Sequence, residues 1–93
     1  HDELLRIGDR MLEGMNYRFG PGARELFGEY LARRVAQPHF ANARSVRNAL
    51  DRMRLRQATR LFAQPQRELT RDDLTTIECE DIRASRVFTA GGR

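Results

Sequence analysis

The chain has 93 residues, 40% apolar and 32% charged, and its 17 basic and 13 acidic side chains leave a net charge of +4. This is a globular composition, long enough for one small domain over residues 1–93 and inconsistent with a disordered or low-complexity chain. No window reaches the roughly 18 apolar residues of a membrane helix, and the lone cysteine, Cys79, allows no internal disulfide and points to a reducing compartment.

The elements read as helices separated by turn signals, with no stretch that alternates with the period of a strand. The first helix is predicted from Asp2, as N-cap, to about Asn16, with Leu4, Leu5, Met11, Leu12 and Met15 on one face and Gly8 among them. Gly8 is either a place of close helix approach or a merely tolerated glycine. Pro21 suits the first turn of a second helix that runs to about Ala36, with Ala23, Leu26, Phe27, Tyr30, Leu31 and Val35 as its apolar stripe. Pro38 ends it.

Asn42 reads as the N-cap of a third helix, about Ala43 to Ala63. One apolar stripe carries Val46, Ala49, Leu50 and Met53 and continues to Leu61; a second carries Leu55, Ala58 and Phe62, so the helix is expected to be buried on two sides. The run "AQPQREL" breaks it. Thr70 and Asp73 have capping-box spacing before a short turn of helix with Leu74. A last amphipathic helix is expected around Asp81 to Phe88, anchored by Ile82 and Phe88, before a loose tail "TAGGR". The expected fold is all-α, a four- to five-helix small bundle without a sheet.

Every basic residue besides the two histidines is arginine. Such a bias follows from a GC-rich coding sequence as readily as from function, although guanidinium groups fork onto carboxylates and phosphates. On the third helix Arg52, Arg56 and Arg60 form a row expected to be a solvated face or a subunit contact. Arg44, Arg47 and Arg54 lie on another side with Asp51 at ion-pair spacing. Arg44 differs from the others by sitting in the first helical turn, where free N–H groups and the helix dipole favour an anion, and by sharing a face with Leu55 and Phe62. Spacing alone leaves it open between a phosphate-binding hand and a structural ion pair.

The remaining candidates have plain readings. His39 is assigned to loop packing, since no second ligand stands near enough to suggest a metal, and none is expected. Phe40 plugs the entry to the third helix or touches a purine base. Met11, Met15 and Met53 fill the core. Glu78, Glu80 and Asp81 are explained by helix capping, and Cys79 by a buried, inert thiol.

"PHFANARSVRNALDRMRLRQATRLF", with "MNYRFGPGAREL" and "EDIRASRVF", resembles the C-terminal helical lid of AAA+ ATPases, and within them the CbbX family of red-type Rubisco activases. The resemblance covers essentially the whole chain. It implies a lid cut from a hexameric ATPase that remodels inhibited Rubisco, in the bacterial cytoplasm or the plastid stroma. The implied partners are its own preceding α/β ATPase domain, neighbouring subunits of a homo-hexamer and the Rubisco large subunit, with no membrane. ATP with Mg2+ would be held mainly by the α/β domain, whose Walker motifs are outside these residues, so that the 93 residues alone are expected to be inactive.

By its place in "NAR", Arg44 matches the sensor-2 arginine that reaches the ATP γ-phosphate; the resemblance assigns no such role to Phe40, which stays a candidate nucleotide contact beside its reading as the plug of the helix entry. Two departures stand out. Gly20-Pro21-Gly22 replaces a frequent Ser-Pro-Glu, and Cys79 replaces a common alanine. The alternatives are a stand-alone basic domain binding nucleic acid and a structural domain pairing subunits. The interspersed acids argue against the first of these.

Overall fold

The computed structural model of the chain describes residues 2–63 and 68–89. In chain order they form α1 (Asp2–Gly14), β1 (Arg18–Phe19), α2 (Ala23–Val35), α3 (Asn42–Phe62), α4 (Arg71–Thr75), β2 (Thr76–Ile77), α5 (Cys79–Arg83) and α6 (Arg86–Thr89). The all-α expectation holds for the body of the fold. α1 packs on α3 and α2, α2 on α5 and α6, and α3 also meets α4 and α5.

The absence of a sheet does not hold. β1 and β2 pair in parallel, Arg18 with Thr76 and Phe19 with Ile77, and the Gly20 N–H donates to the Ile77 carbonyl at 2.8 Å. Two-residue strands are too short to show an alternating pattern in sequence. The pairing depends on how α1 ends. Asn16 takes a left-handed conformation (φ 64°), and the N–H groups of Asn16 and Tyr17 donate to the carbonyls of Glu13 and Leu12. This is a Schellman turn with asparagine in the usual glycine position, and it delivers the chain into β1.

Several boundaries also move. Asp2 is already helical, so it is not seen as the N-cap expected of it. Pro21 lies ahead of the α2 N-cap rather than in the first turn, and Gly22 is that cap, with φ 77°. The expected helix 81–88 is two short helices, α5 and α6, separated at Ala84 and Ser85. Most of the "AQPQREL" break and the end of the tail lie outside the described residues.

The core contains Leu12, Phe27, Leu31, Val46, Leu50, Met53, Ile77 and Ile82, all essentially without solvent exposure. Truncating any of these large side chains to alanine costs about 2–5 kcal/mol by transfer and cavity terms. Phe19, Phe27, Tyr30 and Phe88 continue it as a chain of rings with centroids 5.4, 5.6 and 6.4 Å apart. Gly8 is the close-approach kind of glycine: a Cβ there would stand 2.7 Å from Phe27 Cε2.

Candidate functional site

The start of α3 is built differently from the starts of α4 and α5. At α4 the Thr70 hydroxyl accepts from the Asp73 N–H at 3.1 Å, and the Asp73 carboxylate accepts from the Thr70 N–H at 2.9 Å. This is the reciprocal box its spacing predicts. At α5 the Asp81 carboxylate accepts from the Glu78 N–H at 2.9 Å. At α3 the N-cap is Ala41, no side chain caps the first turn and no acidic residue lies in it.

Asn42, expected to be that cap, is instead the first helical residue, with φ 44°. A residue that caps with its side chain typically has extended backbone, and Asn42 does not. The Ser45 hydroxyl reaches back to accept from the Ala41 N–H at 2.8 Å, which satisfies a donor outside the helix and leaves the first turn without a side-chain acceptor.

Arg44 is exposed in this turn. Its guanidinium makes no hydrogen bond or ion pair among the described residues, whereas the ion pair available to its neighbours forms between Arg54 and Asp51 at 3.4 Å. Along α3, on the side Arg44 shares, Leu55 is 70% and Phe62 73% exposed. Against expectation, the two large members of the second apolar stripe are therefore not covered by the described residues, and only Ala58 between them is half-buried. A positive charge at an open helix start, followed by an uncovered apolar row, is a surface suited to an anion held beside another protein face. Phe40 is half-buried under the Arg34 guanidinium, 5.5 Å from its ring centre. His39 is exposed in the preceding loop.

The other end of α3 is closed. Arg60 donates from Nε and Nη2 to the Asp81 carboxylate at 2.9 and 3.0 Å. Asp81 has only 1% of its side chain exposed and Arg60 18%. The hydrogen bond from Arg60 to Asp81 raises the Arg60 pKa, against its own desolvation. Arg56 adds a bond to the Asp81 carbonyl at 3.1 Å. The row Arg52, Arg56, Arg60 is thus not one solvated face. Each four-residue step turns about 40° around a helix, and the row drifts from solvent into the core. Asp81, besides capping, neutralises its inner end.

Gln57 is a structural residue that the sequence reading passed over. It is buried, and its Nε2 donates to the carbonyls of Asp73 and Thr76 at 3.0 and 3.1 Å, tying α3 to α4 and β2. The available signal was its position in the apolar stripe between Met53 and Leu61. A polar group there must find partners.

Cys79 is half-buried rather than buried, with Sγ 3.5 Å from the Pro21 carbonyl. No group of three or more His, Cys, Asp or Glu side chains among the described residues could hold a metal ion. No helix among them is long and apolar enough to cross a membrane.

Comparison with known proteins adds the family context. The profile of the AAA lid domain family matches residues 1–89. The chain is 60% identical over 87 residues to the protein CfxQ homolog of Cyanidium caldarium, covering 94% of this chain and 30% of that protein. It is 59% identical over 87 residues to the chloroplastic ribulose bisphosphate carboxylase/oxygenase activase of Cyanidioschyzon merolae, with the same 94% and 30% coverage. Against protein CbbX of Cereibacter sphaeroides it is 52% identical over 90 residues, 97% of this chain and 29% of that protein. The chain therefore spans under a third of the length of these relatives.

Proposed function

Because the chain belongs to the AAA lid domain family, we propose that it is the C-terminal helical lid of a longer, hexameric AAA+ ATPase, in which Arg44 acts as the sensor-2 arginine on the terminal phosphate of ATP. The observation that carries this reading is the exposed Arg44 guanidinium, without a protein partner among the described residues, in a first turn that has no cap and no acid. The relative from Cyanidioschyzon merolae is named as a Rubisco activase. On that basis the substrate proposed for the whole protein is inhibited Rubisco, in bacterial cytoplasm or plastid stroma.

The residues present fit part of a nucleotide site only. Arg44 can neutralise charge on a phosphate, and the open N–H groups of its turn favour the same sign. The chain contains no lysine, so the Walker residues, with most of the ATP and Mg2+ contacts, are assigned to a preceding α/β domain. ATP supplies the phosphoryl group and the free energy of its transfer. Arg44 contributes positioning and charge neutralisation, and does so only while the lid is closed on that domain.

Once the terminal phosphate is gone, Arg44 loses its partner and the preferred lid angle changes. The well-filled core lets the lid move as a rigid body. Leu55 and Phe62 are the proposed contact, covered by the α/β domain or by a neighbouring subunit, and on this point the subunit-pairing reading merges with the lid reading. Arg44→Ala in the longer ATPase should lower ATP turnover by at least about tenfold while the lid keeps its helical content. Unchanged turnover and remodelling in that variant would falsify the role given to Arg44.

A further inference from the structure

The end of α1 meets α3 through a thioether and a guanidinium. Arg54 reaches across from α3, and its Nη1 donates to Met15 Sδ at 3.5 Å and to Asp51 Oδ1 at 3.4 Å. Its Cζ stands 5.0 Å from the centre of the Tyr17 ring. Met15 closes α1, with its N–H donating to the carbonyls of Met11 and Leu12, both at 3.1 Å.

This guanidinium is packed in place but poorly satisfied. The Asp51 contact is longer than the roughly 2.7–3.2 Å of an ordinary N–H···O bond, and a thioether sulfur is a weak acceptor. Arg54 Nε is buried without a hydrogen-bond partner, the one side-chain nitrogen or oxygen of that kind among the described residues. The contrast with Arg24 and Arg60 is plain, since both place Nε and Nη2 on one carboxylate. A donor group left short of acceptors in a half-buried place is costly. The charge is delocalised over three nitrogens, so a strong acceptor at any of them offsets the deficit.

We propose that Met15 is a site of reversible oxidation, where hydrogen peroxide converts the thioether to a sulfoxide and Arg54 holds the new oxygen. The sulfur gives a lone pair to one peroxide oxygen, and the S–O bond forms as the O–O bond breaks. The other oxygen takes the proton of the first and leaves as water. Sulfur loses two electrons and the peroxide gains them. Met15 is half-buried between exposed Gly14 and Asn16, so the oxidant reaches it from solvent, whereas Met53 is fully buried. Met11 is also half-buried, but among the described residues no side-chain donor reaches its sulfur.

Oxidation of a packed methionine ordinarily loosens its surroundings, because a polar group replaces an apolar one. At Met15 the polar group arrives beside a cation that lacks acceptors, and the bond it makes is charge-assisted. The sulfoxide therefore ties the end of α1 to α3, the helix that carries Arg44, instead of releasing it.

The test treats the 93-residue chain with hydrogen peroxide and follows each methionine by peptide mass spectrometry. Met15 is expected to oxidise ahead of Met11 and at least about tenfold faster than Met53. The chain oxidised at Met15 alone should melt within about 2 °C of the reduced chain, and a methionine sulfoxide reductase should restore the original mass. In a 15N spectrum the Arg54 Nε–H signal should shift more than that of any other arginine, and in Met15→Leu peroxide should no longer move it. Arg54→Leu keeps an aliphatic stem against Tyr17 and removes the donors, so there the same oxidation should lower the melting temperature by about 5 °C. Prior oxidation of Met11 or Met53, or an unmoved Arg54 signal, would overturn the proposal. So would a drop in the native chain as large as that in Arg54→Leu. Should Arg54→Leu fail to fold, the Arg54 signal and the melting of the native chain decide the matter. None of these outcomes bears on Arg44, whose role is read from ATP turnover.

Discussion

Arg44 and Arg60 are the same side chain at opposite ends of α3, and their surroundings could hardly differ more. Arg60 is largely buried and bound through two nitrogens to a carboxylate that also caps α5. Arg44 is exposed in a turn with neither cap nor acid. The inner arginine fixes α5 against α3, so its charge is spent on architecture. The outer one contributes nothing visible to the fold and is free to answer to something outside it. An arginine's role on one helix is therefore set by whether the fold brings a carboxylate to it.

The comparison breaks most visibly at the inner end. Asp81→Ala removes the partner of a mostly buried guanidinium and, at the same time, the acceptor for the Glu78 N–H. The expected loss of unfolding free energy in urea is about 3–5 kcal/mol, a large part of the stability of a domain this small. Asp81→Asn should recover part of it by keeping an acceptor oxygen for the cap. A loss below about 1 kcal/mol in Asp81→Ala would mean that the pair is solvated and the contrast with Arg44 false.

Gln57→Ala should come next. It leaves the Asp73 and Thr76 carbonyls without their side-chain donor and opens a small void. The expected cost is about 2 kcal/mol. Hydrogen exchange should then accelerate in β1 and β2 more than in α1, because Thr76 begins β2. Uniform acceleration across the domain would count against a local tie.

The legibility of these two residues in the sequence differs for a physical reason. Gln57 interrupts an apolar stripe, so burial with hydrogen bonds could have been read from position alone. Arg60 follows Met53 by nearly two full turns and so falls within about 20° of it. That angle places it at the core margin, but the partner, Asp81, lies across a break in the chain. Long-range pairing of this kind has no local period. The helices themselves, their stripes and the Thr70 box were legible because 3.6-residue periodicity and capping are local effects. The β1–β2 pair, the split of α5 from α6 and the left-handed Asn42 were not, since each is imposed by tertiary contacts or loop geometry. Arg44 was legible as an arginine in the first turn of a helix. That Leu55 and Phe62 beside it stay uncovered was not, because periodicity marks an apolar face without saying what covers it.

A pH series sharpens the comparison from Tyr30, buried on α2. Burial raises the Tyr30 pKa, outweighing the opposing effect of Arg34, Arg52 and Arg56. The folded protein thus holds this proton more tightly than the unfolded chain. Stability from Tyr30 is fully present below about pH 10 and falls as pH rises past that value toward the raised folded pKa. Thermal melts in strongly alkaline buffers, from about pH 9 upward past pH 10, should show that decline in the native chain and a smaller one in Tyr30→Phe. Parallel declines would remove Tyr30 as the group responsible.

Arg44→Ala should have the smallest effect on the fold. An exposed side chain without a partner contributes little to stability, and its loss should fall within about 0.5 kcal/mol of zero. The sign itself is informative. The helix dipole disfavours a cation at its N-terminal end, and no acid in the first turn offsets this. Removing the charge should therefore leave stability unchanged or slightly higher, as read by the urea midpoint at low salt, and the gain should shrink as salt screens the interaction. A destabilisation comparable to that of Asp81→Ala would show Arg44 to be held by the fold after all. A neutral or stabilising result would mean that whatever favours an arginine at this position acts through a ligand and not through the lid's own packing.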